Sequence, residues 1–238
     1  TGHTLRHYQG YRFALYPRRG GRSPELDDPE HLRWLGRMLG RMHSVGSIHQ
    51  FQHRPTLNIQ TFGLDAAAFV LEQGFVPSEL SHNYRQACEV LLEQVTTSFE
   101  IVGPYRTLRL HGDCHPGNIL WTESGPHFVD LDDCINGPAI QDLWMLLSGT
   151  QDDMRRQLNI LLEGYNTFFN FDPLELTLLE SLRALRLLHY SAWLARRWHD
   201  PAFPHAFPWF NTPRYWEDQL NTLREQAERL ESPPLTLS

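Results

Sequence analysis

One stretch limits what this chain can fold into more than any other. It is Leu110-His111-Gly112-Asp113-Cys114-His115-Pro116-Gly117-Asn118-Ile119-Leu120-Trp121, with Val129-Asp130-Leu131-Asp132-Asp133 just behind it. Residues 122–126 between them carry a Ser-Gly-Pro break and read as a turn. The flanks Ile119-Leu120-Trp121 and His127-Phe128-Val129 are short and rich in aromatic and β-branched residues, so they predict a hairpin. Closing it sets Asn118 beside Asp130, with Asp113 on the loop leading in. Two acids and one amide oxygen then face one small volume, a hard-oxygen set suited to Mg²⁺. The bland reading of Asp130 is a turn or capping carboxylate. Asp132 and Asp133 read as structural, salt-bridging or outer-layer groups. Carboxylates this dense repel one another unless a divalent ion or arginines sit among them.

The pattern His-Gly-Asp-x-His-x-Gly-Asn, followed by a hydrophobic-Asp pair, resembles the catalytic and metal-binding segments of the aminoglycoside-phosphotransferase and choline-kinase group of kinase-fold enzymes. In the related protein-kinase pattern an Asp is the catalytic base, an Asn holds metal and a second Asp holds Mg²⁺. The resemblance implies Asp113 as the base and Asn118 and Asp130 as metal ligands. It implies that His111 holds up the loop backbone and that Leu120 floors the adenine. Gly137-Pro138-Ala139-Ile140-Gln141-Asp142-Leu143-Trp144 matches the group's next element, whose Asp braces the catalytic loop. Gly20-Gly21-Arg22, Leu39-Gly40-Arg41-Met42-His43, Ala195-Arg196-Arg197-Trp198 and Asp200-Pro201-Ala202-Phe203-Pro204 carry a closer likeness, to bacterial members of the group that phosphorylate protein Ser or Thr in the cytoplasm. The implied cofactors are ATP and Mg²⁺, and the implied fold class is α+β. That fold is protein-kinase-like, mainly the helical C-terminal lobe with a catalytic β-hairpin and the last strands of the small lobe.

All 21 basic residues are arginine; there is no lysine and no G-x-G-x-x-G loop. Kinase-fold enzymes ordinarily hold nucleotide phosphates with a strand lysine. Either these residues lack most of an N-terminal lobe or the site is degenerate, and the start of the chain favours the first. Thr4-Leu5-Arg6-His7-Tyr8 and Tyr11-Arg12-Phe13-Ala14-Leu15-Tyr16 are strand-like and joined by Gln9-Gly10. Pro17-Arg18-Arg19-Gly20-Gly21-Arg22 then reads as a linker. By resemblance, residues 1–22 are the remnant of the N-terminal lobe and the hinge, with Leu15, Tyr16 and Pro17 at the adenine edge. A hairpin cap on a helical domain is the alternative. Residues 23–238 are then the helical catalytic lobe, and the 238 residues alone are expected to bind ATP poorly and transfer phosphate weakly or not at all.

Helices follow from start signals and periodicity. Asp28-Pro29-Glu30 opens one, with Leu32, Leu35, Met38, Leu39 and Met42 as its buried stripe. His43 at its end reads as a structural or capping histidine. Residues 58–73 form a weaker helix around Ala66-Ala67-Ala68. Pro77-Ser78-Glu79 opens another, with Tyr84, Ala87, Cys88, Leu91, Leu92, Val95 and Phe99 on one face. Residues 140–147 are apolar all round and should be buried. Residues 152–169, 173–199 and 213–230 read as helices, and the proline- and aromatic-rich residues 201–213 as an irregular surface segment. The count is about seven helices.

A net charge of −7 offers no basic surplus for nucleic acid, and no apolar run approaches the ~20 residues of a membrane helix. Thr1-Gly2-His3-Thr4 is not the start of a signal peptide. Three cysteines cannot form a complete disulfide set, which favours a reducing cytoplasm. The resemblance implies a partner that is a protein carrying Ser or Thr, or a small-molecule alcohol, and charge and hydropathy point to neither nucleic acid nor membrane. Three other readings compete. A small-molecule kinase of aminoglycoside, choline or homoserine type shares the same centre. A catalytically inactive kinase-like binding module would account for the missing lysine. A zinc hydrolase would use His111 and His115, but it leaves Asn118 and Asp130 without a purpose. Cys114 beside the base reads as a space-filling thiol.

Overall fold

A computed structural model describes residues 4–237; Thr1, Gly2, His3 and Ser238 lie outside the described residues, and with them most of the stretch read above as no signal peptide. The chain starts with β1 (Leu5–Tyr8) and β2 (Tyr11–Ala14), paired antiparallel with Leu5 opposite Ala14 and Tyr8 opposite Tyr11. Gln9 and Gly10 both take positive φ, 46° and 82°, the two-residue turn whose twist matches a hairpin. The strands bury almost nothing: Tyr8, Tyr11 and Phe13 all face solvent. The chain next crosses the catalytic hairpin, where Arg22 exchanges backbone bonds with Trp121 at 3.1 and 2.7 Å.

Helix α1 (Pro29–Gly46) begins where the sequence signals it. Asp28 accepts from Glu30 N at 2.8 Å and Pro29 occupies the first turn, where no N–H is needed. Leu32, Leu35 and Leu39 are buried, while Met38 and Met42 are half-buried. Gly36 and Gly40 lie against α5 (Gln151–Tyr165), which a Thr150–Asp153 capping box starts. A Cβ on Gly36 would strike Leu161 O, one on Gly40 would strike Tyr165 O, and one on Gly164 would strike Arg33 O. The two helices thus meet backbone to backbone, and only glycine permits it.

The helix over residues 58–73 resolves into a wide turn at Gln60–Leu64 followed by α2 (Asp65–Glu72). α3 (Ser78–Val102) buries Tyr84, Cys88, Leu91, Leu92 and Val95, the expected face, with Ala87 and Phe99 packed at its edge. Residues 140–147 are mostly buried, in α4 (Ile140–Trp144) and the turn after it. Residues 173–199 divide into a tight turn at Pro173–Leu178 and α6 (Leu179–Arg197). The segment 201–213 is less irregular than its prolines suggest: α7 (Ala202–Ala206) forms there because Asp200 accepts from Ala202 N at 2.9 Å. α8 (Pro213–Glu231) closes the fold, packed on α3 and α6 around Tyr84, Phe210 and Trp216. The described residues hold eight α-helices, one more than expected, and none is long and apolar enough to cross a membrane.

Two short sheets carry the site. β4 (Ile119–Thr122) and β5 (Gly125–Phe128) are the expected hairpin, with Ile119 opposite Phe128. Its turn is tighter than the break in the sequence suggests. Thr122 Oγ1 donates to Gly125 O at 2.8 Å, so pairing extends through Thr122, Gly125 and Pro126. The hairpin rests on α1, with Trp121 stacked on His31 at 3.7 Å. A second pair, β3 (Leu108–Leu110) with β6 (Ile135–Gly137), was not read from the sequence. Each strand is three residues long, too short to show an alternating pattern, and only the long-range pairing makes it a strand.

Candidate active site

Gly112 has φ 87°, and a Cβ there would meet Asp133 O, so the catalytic loop turns where only glycine fits. Asp142 on α4, with no solvent exposure, holds this turn from below. One oxygen accepts from His111 N at 2.8 Å and lies 3.0 Å from His43 Nε2; the other accepts from Gly112 N at 2.8 Å. His43 Nδ1 lies 2.7 Å from the Tyr165 hydroxyl, so the histidine ending α1 is structural, as the sequence suggested. Gln141 donates to Gly112 O at 2.9 Å. His111 donates from Nε2 to Val129 O at 2.8 Å, and its Nδ1 accepts from Asp113 N at 3.4 Å. Both nitrogens are thereby spent on backbone, which removes the histidine that a zinc centre needs.

With the loop fixed, Asp113 and Asn118 meet. Asn118 donates through Nδ2 to Asp113 O at 2.9 Å and to Asp113 Oδ2 at 3.4 Å. Its Oδ1 takes no hydrogen bond among the described residues, which leaves an oxygen lone pair for a cation. Val129 N donates to Asn118 O at 3.0 Å, and this places the next residue, Asp130, at the mouth of the hairpin. Asp130 takes a left-handed backbone, φ 59° and ψ 67°, uncommon for any residue but glycine. Its exposed carboxylate has no hydrogen bond or ion pair among the described residues. One amide oxygen and one carboxylate are a fitting partial set for Mg²⁺, which usually takes one or two protein carboxylates and fills the rest with water and nucleotide phosphate.

The remaining neighbours of Asp113 bear positive charge or can. Arg186 Nη1 on α6 lies 2.6 Å from Asp113 Oδ1, and His115 Nε2 lies 3.5 Å from Oδ2. No hydrogen bond to Oδ1 accompanies this ion pair among the described residues. Partial loss of solvent and the charges of Asp113 and Asp130 push the Asp133 carboxyl above its ordinary range, with Arg186 and Arg197 opposing. Arg54 donates to Asp132 O. Arginines thus do sit among these carboxylates, one of the two relief mechanisms that their density demands.

Asp113 and Asp130 open onto a cavity of about 620 Å³. Its far wall is one face of α6: Leu185, Arg186, His189, Tyr190, Trp193 and Arg196 recur at helical spacing. His189 stacks on Phe62 at 4.2 Å, and burial, assisted by Arg196 and Arg186, lowers its imidazole to about 4. It is therefore neutral at pH 7. Tyr190 stacks on Trp193 at 6.0 Å.

A model of the family described as "Phosphotransferase enzyme family" matches residues 1–179. The chain belongs to this phosphotransferase family. The phosphotransferase is 46% identical over all 238 residues to "Stress response kinase A" of Escherichia coli O157:H7, covering 72% of that protein. It is 45% identical, again over its full length and 72% of the relative, to "Serine/threonine protein kinase RdoA" of Salmonella typhimurium. Among solved structures, spectinomycin phosphotransferase APH(9)-Ia in complex with ADP and spectinomycin superposes with a TM-score of 0.65 at 18% identity, over 96% of this chain and 74% of that one. At that identity the likeness is one of fold, and the fold is kinase-like.

Of the residues the sequence singled out in this phosphotransferase, Asn118 bonds Asp113, and Asp130 follows Val129, whose N–H bonds Asn118 O; Asp113 and Asp130 line one cavity. Leu120 is half-buried in β4 directly under the linker, where a Cβ on Gly21 would stand 2.8 Å from its own Cβ. Leu15, Tyr16 and Pro17 do not join this group; Leu15 is 82% and Tyr16 77% exposed, beyond the end of β2. Sequence reading missed Arg186, His189 and the aromatic face of α6. The one available signal was Arg186 and His189 interrupting an otherwise apolar helical stripe. Cys88 and Cys114 are buried and Cys134 is half-buried, all three as free thiols. Burial first, then Asp142 and Asp113, raises the Cys114 thiol far above its ordinary value, which fits a space-filling role.

Proposed function

We propose that this phosphotransferase moves the γ-phosphoryl group of ATP, with Mg²⁺, to the hydroxyl of a Ser or Thr in a protein. The observation that carries the reading is Asp113, hydrogen-bonded by Asn118, opening with Asp130 onto one cavity. The choice of a protein acceptor, and of a role in stress response in the cytoplasm, rests on the names of the relatives and on nothing in the cavity itself. Asp113 orients the acceptor hydroxyl and takes its proton. The acceptor oxygen bonds to the γ-phosphorus as the bond to the β-phosphate oxygen breaks, and that electron pair leaves with ADP. Asn118 Oδ1 and the Asp130 carboxylate hold Mg²⁺, which when bound neutralises phosphate charge. Leu120 supports the adenine from below, and the backbone at Leu15, Tyr16 and Pro17 meets its edge. In this reading residues 1–22 belong to the nucleotide lobe and hinge, and residues 23–238 to the catalytic lobe.

The test gives the longest natural form of the protein radiolabelled ATP and Mg²⁺ with generic protein substrates, choline, homoserine and aminoglycosides in parallel. Label in protein supports the reading; label only in a small molecule replaces it with the small-molecule kinase. Asp113→Asn should cost at least about 10³-fold in turnover with the fold intact. Near-normal turnover of that variant removes Asp113 as the base.

A further inference from the structure

Arg186 contacts the proposed base, yet neither the family motif nor any reading of the loop requires it. Three facts limit what it does. The chain has 21 arginines and no lysine, so any cation it contributes at the transferring phosphoryl group is arginine or histidine. Arg186 Nη1 is 2.6 Å from Asp113 Oδ1, which places the guanidinium beside the carboxylate that is to bind the acceptor hydroxyl. Asp113 is the one acidic partner of Arg186 among the described residues. Its side chain is 39% exposed and lines the cavity. A guanidinium has five N–H donors in a fixed fork and suits phosphate better than any other side chain. Here that fork stands one contact away from the reacting atoms.

A structural salt bridge looks different. The other α6 arginine in an ion pair, Arg183, donates to Glu180 Oε1 at 2.8 Å in hydrogen-bond geometry. Arg186 instead reaches from the cavity wall to the carboxylate that is to hold the acceptor. The arrangement suits a cation that shares its partner with a group arriving later.

We infer that Arg186 changes partner during turnover. It screens Asp113 in the free protein and, once ATP and acceptor are bound, donates to the equatorial oxygens of the transferring phosphoryl group. This rests on the phosphotransfer reading above and adds to it a catalytic residue from outside the loop. The acceptor oxygen and the guanidinium bind the same carboxylate, so they are neighbours, and the phosphorus lies about 3–3.5 Å beyond that oxygen at the point of attack. Charge on the equatorial oxygens grows toward the transition state, so a donor fixed there accelerates the chemical step more than it tightens ATP binding.

The experiment uses Arg186→Gln and Arg186→Lys in the full protein, with Asp113→Asn alongside. Expected for Arg186→Gln is a turnover about 10²–10³-fold lower, the loss typical of one removed transition-state donor, with the KM for ATP within about threefold. A second readout is calorimetric binding of ADP and Mg²⁺ with and without aluminium fluoride, a mimic of the planar phosphoryl group. The glutamine variant should lose most of the extra affinity that aluminium fluoride confers while binding ADP alone normally. Arg186→Lys keeps the charge without the fork and should fall between the two; a lysine variant no better than glutamine in both readouts counts against the proposal. A merely structural Arg186 would leave the aluminium fluoride increment unchanged, and that result overturns the inference, as does a glutamine variant turning over within threefold of the parent. If Asp113→Asn is inactive while Arg186→Gln is normal, only the arginine assignment fails. If Asp113→Asn is active, the base assignment fails whatever Arg186 does.

Discussion

Asp142→Asn removes one oxygen and almost no volume, yet it should damage both the fold and the site. The carboxylate has no solvent exposure, and its two oxygens serve three N–H groups: His43 Nε2, His111 N and Gly112 N. An amide has one oxygen and one NH₂. Whichever way it turns, the NH₂ faces either His111 N–H or Gly112 N–H, a donor against a donor. One hydrogen bond to a charged acceptor is lost, worth about 1.5–3 kcal/mol, and one buried donor is left unmatched, costing about 1–3 kcal/mol more. The sum, about 2.5–6 kcal/mol, is a large part of the ~5–15 kcal/mol that holds a domain folded. The strain falls on the residues immediately before Asp113, and a shift of about 1 Å in a catalytic group costs about 10²-fold in rate. The assay pairs a urea unfolding curve with turnover of the folded variant. Amide exchange at His111 and Gly112 reports the loop directly. A stability loss under about 1 kcal/mol with turnover within twofold would refute the view that Asp142 sets the catalytic loop.

Gly36→Ala drives a methyl group into Leu161 O at the α1–α5 crossing and should cost about 3 kcal/mol, read as a lowered melting temperature; an unchanged melt would mean the two helices slide apart freely. Glu175, buried, accepts from Ile140 N at 2.9 Å at the start of α4. Burial, with help from Asp172, pushes its carboxyl from 4.5 to about 7, against the Ile140 N–H and Arg106. The folded protein therefore holds this proton where the unfolded chain releases it. The stabilisation is complete below the unfolded value and disappears as pH rises through about 7, by about 3 kcal/mol in all. Glu175→Gln keeps the Ile140 bond, and its unfolding free energy should lose that pH dependence between about 4.5 and 7; equal slopes for the two proteins would rule out a buried neutral acid. Burial raises all three thiols, so a thiol reagent at pH 7 should modify at most Cys134 in the native protein and all three cysteines in denaturant. Native modification of Cys114 would contradict its burial behind the loop.

What the sequence determined by itself is the set of features that depend on neighbours in the chain. Spacing through the His111–Asp133 region sufficed to pair β4 with β5 and to bring Asn118 opposite Val129, next to Asp130, because a hairpin brings together residues equidistant from its turn. Start signals and apolar stripes sufficed for α1, α3 and α8, because an amphipathic helix announces its buried face every three to four residues. The tertiary structure alone decided what distant segments do to one another. β3 and β6 are strands only because each finds the other. The backbone contact of α1 with α5 needs Gly36, Gly40 and Gly164 from two helices at once. Asp142 was expected to brace the loop, but that it answers His43 as well as two loop amides depends on α1 and α4 converging. Arg186 looks, in sequence, like a charged residue on a helix. Its distance to Asp113 follows from where α6 packs, and a contact set by packing leaves no periodic trace in the chain.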